Sequence, residues 1–325
     1  MLAERWRHWR RLAKSRMPYV RRREYTKIEQ RYRALTEALG RGLPPSTTAA
    51  ITALRAPESP LPAQTALFVS YAPQPALKRH VVRHIEALLA SGVGVVLILN
   101  TPLAASELRI EAPLLSRLAA VYVRENVGYD FGAWAHVFVL LEERLLQCDR
   151  LLLTNDSVVG PVRAGQLDAV LARVRASDAP VVGLTEYHAP LRHLQSFFIV
   201  LQNGAQRSDA LRRFMHEVAN LPSKELVIDL YETVLTQRLS AAGLRCEALF
   251  PSMAVNSFEA NDTSQRWAEL IERGFPFIKT SMLEKHWGEA NLEAIVPAEI
   301  RRDYEFANAA QPLNQQISQQ INQPK

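Results

Sequence analysis

Cysteine is nearly absent: 325 residues carry two, Cys148 and Cys246, far apart and outside any CxxC spacing. That excludes a disulfide framework and a cysteine zinc site, and it fits a reducing compartment. No run of about 18 apolar residues occurs, so no segment reads as a membrane-crossing helix. The amino terminus is charged but lacks an apolar segment and a small-residue cleavage site, and it does not read as a secretory signal. No internal repeat is visible. What is present is a globular composition, 48% hydrophobic and 22% charged, enough for one large core or two modest ones.

Charge is unevenly spread. Residues 1–40 hold twelve Lys and Arg against four Glu, and the remainder holds 27 basic against 29 acidic residues. A basic end on a neutral domain points to an acidic surface as partner. In residues 1–17, Leu2, Trp6, Trp9 and Leu12 recur at helical spacing among six basic residues. Tryptophan on one side and arginine elsewhere suit an anionic lipid surface rather than nucleic acid. Pro18 ends this helix. A second helix is predicted from Arg22 to Leu39, with Tyr25, Ile28, Tyr32, Leu35 and Leu39 as one apolar stripe that could dock on the chain's own domain. Residues 41–65, rich in Pro, Ser and Thr, read as a linker. The Gln/Asn-rich end, 306–325, reads as a disordered polar tail.

From Ala66 the chain alternates apolar strands with helices. Strands are predicted at Ala66–Tyr71, Val93–Leu99, Ala119–Val123, Arg150–Thr154, Val181–Thr185, Gln195–Leu201 and Leu244–Phe250. Helices are predicted at Ala76–Ser91, Ser106–Leu118, Phe131–Leu146, Leu167–Val174, Ser208–Ala219 and Ser223–Ala242. This order indicates an α/β domain over residues 66–305, with a mostly parallel central sheet flanked by helices.

Ligands bind beyond the carboxyl ends of strands in such sheets. Two strand ends carry unusual sequences. In the first, Arg124 to Trp134, Gly128 and Gly132 permit tight turns, and Asn126 and Asp130 offer contacts to a ribose or base. Asp130 also stands where a helix cap would. In the second, Asn155, Asp156 and Ser157 follow three leucines. Their oxygens could hold Mg²⁺ or Mn²⁺ together with a diphosphate, or simply close the strand with an Asx turn. His80 and His84, four apart on a helix, read as packing residues for want of a third ligand.

In order along the chain come SYAP (from Ser70 and Tyr71), ENVGYDFGAW, LLLTNDSVVGP, GLTE, HLQSFFIVL and YETVLTQRLSAAGL. Over Ala66 to Lys279 this resembles the rhamnan synthesis protein F family of bacterial polysaccharide biosynthesis. The resemblance implies a GT-A-like nucleotide-binding domain and a glycosyltransferase. It implies a nucleotide-sugar donor near Ser70, Tyr71, Asn126, Gly128, Asp130, Asn155 and Lys279. Asp156 and Ser157 stand where such folds carry an acidic metal motif, here with one carboxylate. The stretch Tyr231 to Gly243 is similar to a helix of inverting transferases that begins with two acids. That makes Glu232 the candidate general base and Asp229 the runner-up; otherwise Glu232 is a surface residue paired with a Lys or Arg. Glu186, His193 and Ser196 would face the acceptor, and His286 is a second late basic residue within reach of the diphosphate. The expected partners are a nucleotide-sugar, a lipid-linked glycan and the inner face of the cell membrane, with the protein itself cytoplasmic and peripheral. The competing readings are a non-catalytic scaffold of the same fold and a nucleic-acid binder acting through residues 1–40.

Overall fold

The computed structural model describes residues 26, 29–30, 33–37, 39–40, 42–57, 60–189, 191–253, 261–286, 292 and 295–301. The basic segment 1–17 and the tail 306–325 lie outside these residues. The strands are β1 (Ile51–Arg55), β2 (Gln64–Tyr71), β3 (Gly94–Thr101), β4 (Ala120–Glu125), β5 (Arg150–Asn155), β6 (Val158–Val159), β7 (Val181–Tyr187), β8 (His193–Leu194), β9 (Phe198–Leu201), β10 (Cys246–Phe250) and β11 (Ile278–Lys279). The main helices are α1 (Arg79–Ala90), α2 (Ala112–Leu115), α3 (Tyr129–Leu145), α4 (Gln166–Ala176), α5 (Asp209–Glu217), α6 (Lys224–Val227) and α7 (Thr233–Ala241).

The central sheet runs β1-β4-β3-β2-β5-β9-β7-β10, with β8 on β7 and a separate ribbon of β6 and β11. β4, β3, β2 and β5 are parallel. β9 runs antiparallel between β5 and β7, and β10 is parallel to β7. This is the α/β architecture expected from the sequence. The chain winds outward from β2 through β3 to β4, then returns to lay β5 on the other side of β2. Such a reversal opens a crevice at the carboxyl ends of the two strands.

Each central strand is buried on both faces, which is why it reads as a continuous apolar run. Ala66 and Phe68 pack with Val81, Ile85 and Leu88 of α1 and with Leu167 and Leu171 of α4. Leu67 and Val69 pack on the opposite face with Trp134 and Phe138 of α3, Phe214 of α5 and Leu235 of α7. Ala34 and Leu35 dock against this second core. In that part of its stripe the predicted amino-terminal helix does rest on the domain. His84 is fully buried with neither ring nitrogen bonded, and burial holds its pKa down to about 3. It is a neutral packing residue among Phe68, Phe198 and Phe277.

Three predicted elements are corrected. The stretch 41–65 contains β1, antiparallel to β4, and Ser46 N–H bonds the carbonyl of Val218, so it is built into the domain rather than linking to it. The predicted helix Ser106–Leu118 shrinks to α2, with Pro113 in its first turn, where a missing N–H costs nothing. The predicted helix Ser223–Ala242 is interrupted at Ile228–Glu232 by a π-turn.

Candidate functional site

A cavity of about 580 Å³ opens at the crevice between β2 and β5. Four parallel strands end there, so residues far apart in sequence converge. Tyr71 ends β2, Asn100 lies near the end of β3, Asn126 follows β4 and Asn155 ends β5, and all four line the cavity. Because β9 is antiparallel to β5, its beginning lies at the same edge, which brings in Ser196, Phe197 and His193. The β6–β11 ribbon pairs Lys279 with Val158, and Thr280 N–H bonds the Ser157 carbonyl at 3.0 Å. Lys279 thereby enters the cavity beside the Asn155–Ser157 segment.

The loop between β4 and α3 is held open for this purpose. Gly128 (φ 72°) and Tyr129 (φ 56°) are both left-handed, and for a tyrosine that conformation costs roughly 1–2 kcal/mol. A Cβ on Gly128 would stand 2.3 Å from Asn220 Oδ1. Gly128 thus turns the chain and admits Asn220; it does not line the cavity. Asn100 Nδ2 holds the Tyr129 carbonyl at 3.1 Å.

Asp130 lies in the first turn of α3. Its Oδ1 accepts Phe131 N–H at 3.0 Å and its Oδ2 accepts Asn155 Nδ2 at 2.7 Å. It therefore ties the helix start to the end of β5, beyond any capping role. Burial, and then the charge of Glu232, push its pKa from 3.8 up to about 6. A folded state that holds this proton longer than the unfolded one loses stability as pH rises between those values. Asp130→Asn removes the titration. Its stability relative to wild type should rise on the order of 1–3 kcal/mol between pH 4 and pH 8, read from melting curves. A difference that stays constant with pH would refute the assignment.

Glu232 lines the same cavity. Its Oε1 accepts Ser196 N–H at 2.8 Å, and one turn later Thr236 Oγ1 accepts Leu194 N–H at 3.0 Å. These two bonds fasten the start of α7 to the β8–β9 segment. The π-turn just before α7 ends at Glu232; such bulges occur frequently at functional sites. Lys279 sits 4.5 Å from the Phe197 ring centroid. Burial lowers its pKa, while Glu232 and Asp130 oppose the shift.

The remaining expectations divide. Asp229 is not among the cavity-lining residues; its carbonyl takes the Thr233 hydroxyl at 2.7 Å. Glu186 is withdrawn from the acceptor side: Arg192 at 2.7 Å, His188 at 3.2 Å and Ser252 N–H at 3.2 Å occupy its carboxylate. Those partners hold its pKa below the ordinary value against the opposing effect of burial. Ser70 is buried behind the cavity and donates to Asp156 Oδ2 at 2.9 Å. The His286 side chain lies outside the described part of the structure.

Asp156 and Ser157 line the cavity, but most of the oxygens that this segment offers are already engaged, and Asp156 Oδ1 is the one carboxylate oxygen left for a cation. Asn155 Oδ1 already accepts Ser157 N–H at 3.1 Å and the Ser157 hydroxyl at 2.6 Å. Asp156 Oδ2 accepts Ser70, Tyr71 N–H at 3.1 Å and Lys78 Nζ at 2.8 Å. Among the described residues no group of three or more His, Cys, Asp or Glu is placed to hold a metal ion.

Sequence reasoning missed Asn100, Tyr129 and Lys224, all of which line the cavity. Asn100 carried the signal that singled out Asn155, a polar residue ending a buried strand. Lys224 carried none, because helix packing alone brings it there.

The sequence profile of the rhamnan synthesis protein F family matches residues 95–319. The chain is 28% identical to the "Virulence protein VirA" of Vibrio anguillarum, a match covering 55% of this chain and 66% of that protein. It is 26% identical to "Uncharacterized protein y4gN" of Sinorhizobium fredii, covering 59% and 49%. The chain thus spans less than two thirds of the length of these relatives. Among solved structures, the glycosyltransferase GlyE of Streptococcus pneumoniae is similar at 11% identity and a TM-score of 0.33, over 80% of this chain and 64% of that one. A 4-diphosphocytidyl-2C-methyl-D-erythritol synthase is similar at 12% identity and a TM-score of 0.35, over 65% and 98%. Likeness at those scores carries no argument about activity.

Proposed function

The chain belongs to the rhamnan synthesis protein F family, and from that premise we propose that it is a GT-A-like glycosyltransferase. It moves a sugar, rhamnose in the reading the family name suggests, from a nucleoside diphosphate to a growing cell-surface polysaccharide. The observation that carries this reading is the convergence of Asp130, Asp156, Glu232 and Lys279, from four separate segments, on one cavity at the β2–β5 crevice.

In this reading the nucleotide lies against Tyr71, Asn126, Asp130 and Asn155, and Lys279 meets the diphosphate. His193 and Ser196 face the acceptor. The reaction is a single displacement that inverts the sugar. The acceptor oxygen attacks the anomeric carbon, and the bond to the diphosphate oxygen breaks with its electron pair. The hydroxyl proton passes to the Glu232 carboxylate, which the Ser196 N–H holds on the acceptor side.

A ligand that binds only the folded state must raise the melting temperature. A nucleotide-sugar present at about a hundred times its Kd adds about 2.7 kcal/mol, which is roughly 5–10 °C for a domain of this size. A panel of nucleotide-sugars that yields neither a shift nor any transfer would leave the non-catalytic scaffold as the better reading.

The acceptor is proposed to be a lipid-linked glycan at the cytoplasmic face of the membrane. No helix among the described residues is long and apolar enough to cross a membrane. Attachment is assigned to residues 1–17, on the strength of Trp6 and Trp9 among six basic residues. Removing 1–17 is expected to release the protein from anionic liposomes in a pelleting assay and leave its melting temperature unchanged. Equal pelleting of both forms would refute the attachment.

A further inference from the structure

Hard divalent cations need oxygen lone pairs, and Mg²⁺ in particular needs six in near-octahedral order. At Asn155–Ser157, Asn155 Oδ1 and Asp156 Oδ2 are engaged within the protein, which leaves Asp156 Oδ1 as the one carboxylate oxygen the segment offers. A single oxygen, Asp156 Oδ2, receives three donors, and one of them is a full positive charge. That charge belongs to Lys78, the residue just before α1. Its ammonium stands 5.7 Å from the ring centroid of Tyr71, which lines the cavity. Lys78 therefore takes one oxygen of Asp156 and stands beside the cavity, next to Tyr71, rather than among its lining residues. A second ammonium, Lys279, reaches the cavity through the β11–β6 pairing, and a third, Lys224, lines it from α6.

We propose that lysines of the chain, Lys78 at Asp156 together with Lys279, neutralise the donor diphosphate, and that donor binding requires no divalent cation. This inference rests on the nucleotide-sugar reading above. Asp156 becomes a positioning residue: held by Ser70 and Tyr71 N–H, it fixes the Lys78 ammonium beside Tyr71 at the end of β2. An ammonium serves phosphate as a point charge without the demand for coordination geometry. Lys78 was not apparent from sequence, because it reaches Asp156 across 78 residues.

The test is titration calorimetry of the full chain with UDP, GDP, ADP and dTDP, each in excess EDTA and again with Mg²⁺ or Mn²⁺. Affinity for the preferred nucleotide should agree within about twofold between the two conditions. Lys78→Met should weaken it about tenfold in EDTA, and Lys78→Arg should retain most of it, as expected for a charge-assisted contact. The unliganded melting temperature of each variant reports whether the fold persists. Should Lys78→Met fail to fold, Lys279→Met in EDTA carries the same expectation. Binding that appears only with Mg²⁺ or Mn²⁺, or an unchanged affinity in folded Lys78→Met, would overturn the inference and leave the donor reading standing. Absence of binding by every nucleotide in both conditions would instead overturn the donor reading, and this inference with it.

Discussion

Glu232→Gln should lower turnover by about 10²–10⁴-fold while leaving donor affinity near that of wild type. The substitution keeps the size of the side chain, and its amide oxygen can still accept the Ser196 N–H that Glu232 Oε1 accepts at 2.8 Å. What it removes is basicity. A general base lost from an attacking hydroxyl costs a factor of that order. The loss should fall on kcat and kcat/KM alike, as for an interaction made in the transition state. Asp130 supplies a second readout. Part of its raised pKa comes from the Glu232 charge, so Glu232→Gln should move the Asp130 titration back toward the ordinary carboxylate range. Turnover within a few-fold of wild type would remove Glu232 from the base role. Weakened donor binding at normal turnover would assign it to the nucleotide instead.

Arg124→Leu should destabilise the domain by about 3–5 kcal/mol, which is roughly 10 °C or more in melting temperature. Arg124 is fully buried, and no carboxylate is among its hydrogen-bond partners. Its guanidinium instead gathers oxygens from three regions: the Val127 carbonyl at 2.5 Å, the Ser46 carbonyl at 3.1 Å and Asn220 Oδ1 at 2.7 Å. Burial holds its pKa down to about 10, and the same burial and the nearby guanidinium hold His136 down to about 4. His136 is thus neutral, and its Nδ1 can accept from Arg124 Nε at 3.3 Å. Leucine would fill part of the volume and strip these buried oxygens of their donor, each at about 1–3 kcal/mol before relaxation. Arg124→Lys should recover only part of the loss, since one ammonium cannot span the fork. The loop from Asn126 to Tyr129 hangs on this side chain, so nucleotide binding should weaken in the folded fraction as well. A melting temperature within about 2 °C of wild type would refute the role.

The Arg124 cluster explains why parts of the site were illegible in sequence. Arg124 opens a segment that already looked like a ligand loop, yet nothing local distinguishes a buried guanidinium from a solvated one. Its partners at Ser46 and Asn220 lie 78 and 96 residues away. Glu186 misled for the same reason. It lies next to the end of β7, at the correct edge of the sheet, but Arg192 folds back and takes its carboxylate. β1 was hidden by composition: only its ends are partly covered, and the Pro, Ser and Thr around it read as a linker. It is a strand because β4 would otherwise present an open edge. The π-turn before Glu232 has no local signature that separates it from an ordinary helix.

The sequence alone determined the α/β alternation, the parallel core strands and the two strand-end segments around Asn126–Asp130 and Asn155–Ser157. It could do so because burial on both faces imposes continuous apolar runs, and because polar residues must emerge where such strands end. Only the tertiary structure decided which polar groups remain available there. It joined Asp130 to Asn155, set Glu232 against Ser196, withdrew Glu186 and Asp229, and committed Asp156 to Lys78. Hydrogen-bond partnership is fixed by distance and direction between segments dozens of residues apart, and neither quantity is encoded in local pattern.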